Sequence, residues 1–142
     1  GARDPSRATY VGELEALARS LGIGDAVAMA PPTDAIARAY AASDLVLQLS
    51  RKPEAFGRTV LEALSVGRPL VGWDHGGVGE LLRQWQPEGR VPPFDAGALL
   101  AAAGAMLVAP PAPVTMPDSL EAMQDATLSL YDELAGHHDH RR

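Results

Sequence analysis

The chain has 142 residues, enough for one ordinary core, and 46% hydrophobic with 21% charged residues is a globular composition. Its formal net charge is -6, from 18 acidic and 12 basic side chains, which argues against nucleic-acid binding, because that function needs a basic surface. The absence of cysteine excludes a disulfide framework and is compatible with a cytoplasmic protein.

Two segments bear on targeting and membranes. The chain begins at Gly1 without a charged and then apolar leader, so we expect no targeting signal. The uncharged stretch from Ala96 to Val114 could be mistaken for a membrane span, but Pro110, Pro111 and Pro113 interrupt it. We therefore expect a soluble helix packed through small residues.

The first third of the chain predicts two helices and a strand. Residues 1–7 carry charges and a proline without periodicity, so we expect a loop or a frayed end there. Apolar residues recur at helical spacing over 9–21, and glycines follow. Residues 27–29 predict a short strand that two prolines end. A second helix is expected to begin near Thr33 or Asp34 and to turn four residues inward, Ile36, Ala37, Tyr40 and Ala41.

Later elements alternate between strand and helix. Residues 45–49 and 69–73 predict strands, and Val91 predicts a brief edge strand. The expected helices are a first one starting at or just after Gly57, a second over 78–85, an Ala-rich helix capped by Asp95 and a last one over 118–134. Alternating helices and largely uncharged strands predict the α/β class, a parallel sheet with helices on both faces.

A helix start near Gly57 is a candidate anion site. The first free N–H groups of that helix belong to Arg58 and Thr59, and glycine lets a ligand approach the backbone closely. The guanidinium of Arg58 and the hydroxyl of Thr59 add donors. A phosphate or diphosphate is the expected ligand.

Two glutamates flank the candidate anion site. Glu54 precedes the turn and Glu62 lies within the helix, and carboxylates accept hydrogen bonds from vicinal sugar hydroxyls. Eight helical residues span roughly 12 Å, which is similar to the separation of two sugars across a diphosphate. The pattern therefore suits a nucleotide-diphosphate sugar with one glutamate on each ring.

The motif SRKPEAFGRTVLEALSVGRPLV contains both glutamates, and HGGVGE follows it. With these residues the chain resembles the bacterial group 1 glycosyltransferases of family four, which are retaining enzymes with the two-domain GT-B fold. The resemblance runs from about Tyr10 to about Ala109 and covers the C-terminal, Rossmann-like half of that fold.

The resemblance implies a role for each matching residue. It implies that Glu54 contacts the transferred hexose and serves catalysis, and that Glu62 holds the ribose hydroxyls. It also implies that the remaining positions surround the sugar and diphosphate, namely Phe56, Gly57, Arg58 and Thr59. No metal ion or other cofactor is implied, and the donor would be linked to UDP or GDP.

The sequence departs from the family pattern at its start. The family's N-terminal acceptor domain is not in these 142 residues, and neither are the first strand and helix of the donor domain, which carry a basic pair for the diphosphate. We therefore expect the isolated chain to be inactive, and an exposed edge would allow homodimers. The expected division is a truncated nucleotide-sugar-binding domain over 1–109, a Pro-rich linker over 110–117, a helix over 118–136 and a tail over 137–142.

Three functions remain open at this point. The first is the donor-binding domain of a glycosyltransferase in bacterial polysaccharide or lipopolysaccharide synthesis, located in the cytoplasm or at the inner face of the membrane as a peripheral protein. The second is a nucleotide-sugar enzyme of the same fold with different chemistry, such as an epimerase. The third is a non-catalytic relic or interaction module.

Other polar residues have alternative interpretations. His75, after Asp74, would either contact the donor or cap a loop, and Glu80 would either belong to the second Gly-rich motif or stabilise a helix dipole. Residues 30–32 are a candidate platform for the base or only a turn. The pair 51–52 is expected to be solvated, and the His-rich tail lacks the fixed spacing of a metal site.

Overall fold

The structure is a computed structural model that describes residues 5–115. It divides into two compact units, of which the first ends at Asp34 and the second begins at Ala35. The predicted last helix, over 118–134, and the His-rich tail lie outside the described residues. No helix within 5–115 combines the length and apolarity needed to cross a bilayer.

The first unit contains helix α1 (Pro5–Ser20) and a 3-10 turn (Gly24–Ala26). The helix predicted over 9–21 is confirmed, but the loop predicted over 1–7 is wrong from Pro5 onward. Proline has a fixed φ that suits the first turn of a helix, where no N–H is needed. The strand predicted over 27–29 is also wrong, because these residues are exposed backbone without a ladder partner in the described chain.

The second unit is an α/β domain. Its elements in order are α2 (Ile36–Ala41), β1 (Val46–Gln48), α3 (Arg58–Ser65), β2 (Leu70–Trp73), α4 (Gly76–Trp85), a 3-10 turn (Pro87–Gly89), β3 (Arg90–Val91) and α5 (Ala96–Val108). All three predicted strands of this unit are confirmed, each within a residue or two of its expected bounds.

The three strands form a parallel sheet in the order β1-β2-β3. Side chains alternate across β2, so Leu70 packs with the apolar faces of α3 and α4, whereas Val71 and Trp73 pack on the other side. The second cluster includes Met106 of α5. Helices therefore cover both faces of the sheet, and the predicted fold class is confirmed.

The N-termini of α5 and α2 show which of the predicted capping residues are correct. Asp95 caps α5 by accepting a hydrogen bond of 2.9 Å from the N–H of Ala98, as predicted. Helix α2 instead begins after Ala35 without a side-chain cap, so the caps predicted at Thr33 or Asp34 are wrong. Of the four residues expected to turn inward from α2, Tyr40 alone is partly buried and packs against the core.

A buried amide ties β2 to the end of α4. Gln86 is 1% exposed, and its Oε1 accepts a hydrogen bond of 3.1 Å from the N–H of Leu70, while its Nε2 lies 3.4 Å from the sulfur of Met106. The proline-rich segment after α5 lies beside the same place, where residues 111–114 line a small cavity together with Gly67 and Arg68.

Candidate functional site

The loops that follow β1 and β2 lie side by side. The N–H of Gly77 donates a hydrogen bond of 2.7 Å to the carbonyl oxygen of Glu54, which joins the start of α4 to the loop before α3. Both loops leave the carboxyl ends of parallel strands, where ligands bind in open α/β sheets. The candidate site is therefore at this edge of the second unit.

Two glycines make this close approach feasible. Gly57 is the N-cap of α3 in the left-handed conformation, with φ 57° and ψ 36°, which other residues rarely adopt. A Cβ atom on Gly77 would lie 2.5 Å from the carbonyl oxygen of Ala55, so a larger residue would collide with the loop. The loop–helix contact therefore depends on having glycine at both positions.

Helix α3 begins where the sequence predicts. Its first backbone hydrogen bond runs from the N–H of Val60 to the carbonyl of Gly57 at 2.9 Å, so the N–H groups of Arg58 and Thr59 precede the intrahelical ladder. Helix N-termini of this kind attract anions through these N–H groups and the helix dipole. The Arg58 side chain is 82% exposed and is therefore accessible to a ligand.

The carboxylate of Glu54 is fixed by two neighbours on the β1 side. Its Oε1 accepts a hydrogen bond of 2.6 Å from Nε2 of Gln48 and one of 2.9 Å from Oγ of Ser50. Within residues 5–115, no hydrogen bond reaches Oε2. Because both donors act on the same oxygen, the carboxylate is oriented while its second oxygen stays available to a hydroxyl group.

The carboxylate of Glu62 is held differently, with one partner on each oxygen. Arg58 donates to Oε1 at 3.1 Å, one helical turn away, and the hydroxyl of Tyr40 on α2 donates to Oε2 at 3.3 Å. Burial and the negative charge of Glu62 raise the pKa of the Tyr40 hydroxyl.

Phe56 and Asp74, which also lie on the two loops, differ in exposure and in charge compensation. Phe56 is 80% exposed beside the buried Gly57. Asp74 accepts hydrogen bonds from Arg90 at 3.0 Å and from Arg83 at 3.3 Å, so its charge is compensated within the domain.

The side chains of His75 and Glu80 do not stabilise the start of α4. His75 occupies the N-cap position of α4 but makes no capping hydrogen bond with its side chain, and its ring lies edge-on to Phe94 with centroids 6.2 Å apart. Glu80 is exposed and lies beyond the first turn of α4, where the helix dipole is weak. Arg51 and Lys52 are exposed, as expected of a solvated pair.

Sequence reasoning missed the residues that orient the two glutamates. The sequence predicts Tyr40 on the inner face of a helix and Gln48 within a strand, but it does not predict that these residues or Ser50 contact the glutamates. Alternation along β1 offered a partial signal, since Gln48 is the polar residue in an otherwise apolar strand.

No group of three or more potential metal ligands occurs within residues 5–115.

The sequence of this chain is similar to that of known proteins. Residues 8–111 match the family described as glycosyl transferases group 1. A D-inositol 3-phosphate glycosyltransferase from Acidothermus cellulolyticus is 34% identical over 105 residues, which are 70% of this chain and 23% of that protein. An N-acetyl-alpha-D-glucosaminyl L-malate synthase from Bacillus anthracis is 40% identical over 67 residues, 47% of this chain and 17% of the relative.

A third relative gives the same picture. A D-inositol 3-phosphate glycosyltransferase from Rhodococcus erythropolis is 44% identical over 69 residues, 47% of this chain and 15% of that protein. The chain thus spans at most 23% of the length of these curated relatives.

Proposed function

Because this chain belongs to the group 1 glycosyl transferases, we propose that the edge formed by the β1–α3 and β2–α4 loops binds a nucleotide-diphosphate sugar, linked to UDP or GDP. The observation that carries the proposal is the pair of oriented carboxylates, Glu54 and Glu62, on either side of a helix start capped by the left-handed Gly57. Hydroxyl-rich groups on both sides of a diphosphate fit that arrangement.

The diphosphate is proposed to lie at the start of α3. The N–H groups of Arg58 and Thr59 supply fixed donors, and the exposed Arg58 guanidinium supplies a cation that can leave Glu62 for a phosphate. The hydroxyl of Thr59 is proposed to add a further donor to the diphosphate. Gly57 is buried at the cap, where the backbone of Gly77 and the side chain of Leu81 occupy the space beside its Cα.

Each glutamate is proposed to hold one sugar. Glu54, oriented by Gln48 and Ser50, presents Oε2 to a hydroxyl of the hexose, while Glu62 accepts hydrogen bonds from the ribose. Phe56, with its exposed ring, is proposed to lie beside the sugar and diphosphate.

During transfer, negative charge develops on the leaving diphosphate as the bond to the hexose breaks. Fixed donors aimed at that charge stabilise the transition state more than the ground state, which is the role proposed for the α3 start and Arg58. Glu54 keeps the hexose in place at its reacting carbon. We propose that the hexose is transferred with retention of configuration and that no metal ion is required.

The acceptor is proposed to bind outside these 142 residues. The chain covers 23% of one relative and less of the other two, so the residues that bind the acceptor are expected in the remainder of a full-length enzyme. We propose that these residues alone do not transfer sugar. Polysaccharide or lipopolysaccharide synthesis stays our prediction for the pathway. The names of the relatives add inositol 3-phosphate and L-malate to the acceptors worth testing.

A calorimetric titration with UDP, GDP and their glucose conjugates tests the proposal. We expect binding of one nucleotide, weakened strongly in Glu62→Ala because a hydrogen-bond acceptor for the ribose is lost. Glu88→Ala is the matched control, since Glu88 is an exposed glutamate in the turn before β3, at the opposite edge of the sheet. Equal affinities for the wild type and Glu62→Ala would contradict the assignment.

A further inference from the structure

The two partners of Glu62 differ in how firmly they are placed. Arg58 is 82% exposed on the side chain and lies on the same helix, so its ion pair with Glu62 contributes little and is easily exchanged. Tyr40 comes from a different helix, is partly buried and packs against the core formed around Val60 and Leu64. The aromatic ring therefore fixes the position of its hydroxyl, whereas the guanidinium is free to move.

We infer that Tyr40 is a positioning residue that keeps the Glu62 carboxylate in the orientation needed for the ribose when Arg58 moves to the diphosphate. The inference rests on the proposed function, because it assumes that Glu62 meets the ribose and that Arg58 meets the diphosphate. It goes further by assigning the orientation of the Glu62 carboxylate to Tyr40, whose hydroxyl donates a hydrogen bond of 3.3 Å to Oε2.

The hydrogen bond from Tyr40 leaves acceptor capacity on Glu62. The Tyr40 hydroxyl has one proton, which it donates to Oε2 of Glu62. Glu62 then uses its remaining lone pairs, on both oxygens, to accept from two vicinal ribose hydroxyls. Without the Tyr40 hydroxyl, the carboxylate can rotate toward Arg58 or toward water, and its acceptors no longer face the diol.

The test measures the preference for ribose rather than affinity alone. The probes are the nucleoside diphosphate that binds most tightly and its 2′,3′-dideoxy analogue, titrated calorimetrically into the full chain. Hydrogen bonds from the ribose hydroxyls to a charged carboxylate should make the wild type bind the nucleoside diphosphate about 10- to 100-fold more tightly than its dideoxy analogue. Both probes carry the same diphosphate, so contacts to the phosphates cancel in the ratio.

Tyr40→Phe removes the hydroxyl and keeps the ring, so the packing against the core is preserved. We expect the ribose preference to fall by about fivefold or more, from loss of a positioning hydrogen bond, while the affinity for the dideoxy analogue changes by less than about twofold. Arg58→Ala is the matched control, and it should weaken both probes equally and leave the ratio unchanged. A thermal melt of Tyr40→Phe confirms that the variant is folded.

The outcomes separate this inference from the proposed function. If the wild type shows no ribose preference, or if Glu62→Ala retains it, the ribose assignment of Glu62 fails and the inference fails with it. If Glu62→Ala abolishes the preference but Tyr40→Phe keeps it, or weakens both probes equally, the proposed function stands and the positioning role of Tyr40 is overturned.

Discussion

Replacing Gly77 by alanine should separate the two site loops and destabilise the domain. A Cβ atom at this position would lie 2.5 Å from the carbonyl oxygen of Ala55, 2.9 Å from its carbonyl carbon and 3.0 Å from the carbonyl carbon of Phe56. Normal contact distances require the loop and helix to move apart by about 1 Å. That movement would break the hydrogen bond of 2.7 Å from Gly77 to Glu54.

The expected loss follows from these contacts. Overpacking against rigid backbone costs about 1–3 kcal/mol, and loss of one backbone hydrogen bond adds about 1 kcal/mol. Alanine recovers up to about 1 kcal/mol through its better helix propensity in α4. The free energy of unfolding of Gly77→Ala should therefore fall by about 1–4 kcal/mol.

A matched substitution in α5 separates the clash from the general effect of removing a glycine. Gly104 lies in the middle of that helix, and a Cβ there would meet no atom within 4 Å. Gly104→Ala should stabilise the protein by about 0.5–1 kcal/mol. Urea denaturation of both variants gives the comparison, and a Gly77→Ala protein as stable as the wild type would refute the close packing of the loops.

Three further substitutions test individual contacts. Gln48→Leu should weaken binding of the nucleotide-sugar about 3- to 10-fold in a calorimetric titration, because Glu54 loses a donor; an equal loss for the nucleotide alone would argue against a role at the hexose. Gln86→Leu should lower the free energy of unfolding by about 1–3 kcal/mol, because the N–H of Leu70 is left unpaired, and wild-type stability in urea would contradict that hydrogen bond. The pKa of Tyr40 is raised by folding, so the folded state holds this proton more tightly and stability should fall as the pH rises above about 10. Tyr40→Phe should reduce this fall, and identical pH profiles of the two proteins would contradict it.

Local signals predicted the elements that build the site. Glycine at position 57, followed by apolar residues at helical spacing, gave the start of α3, since the turn requires a left-handed residue that glycine adopts readily. The uncharged residues around β2 indicated a strand buried on both faces. Asp95 predicted a cap because its short carboxylate reaches the N–H of Ala98.

Tertiary contacts account for what the sequence did not predict. Residues 27–29 are apolar and lie shortly before two prolines, yet a strand exists only where a neighbour pairs with its backbone. The sequence does not reveal whether such a neighbour exists. The links from Tyr40 to Glu62 and from Gln48 to Glu54 depend on how α2 and β1 are placed against α3 and its loop. Periodicity showed that Tyr40 would turn inward but could not name its partner.

Amide chemical-shift mapping of the ¹⁵N-labelled protein tests the central claim most directly. Addition of the nucleoside diphosphate should produce its largest shifts at the N–H groups of Arg58 and Thr59, because these precede the hydrogen-bond ladder of α3 and are proposed to bind the diphosphate. Shifts in the neighbouring loop at Gly77 should be smaller. Saturable binding whose largest shifts occur away from the start of α3, for example around Gly67 or Gln86, would contradict the account.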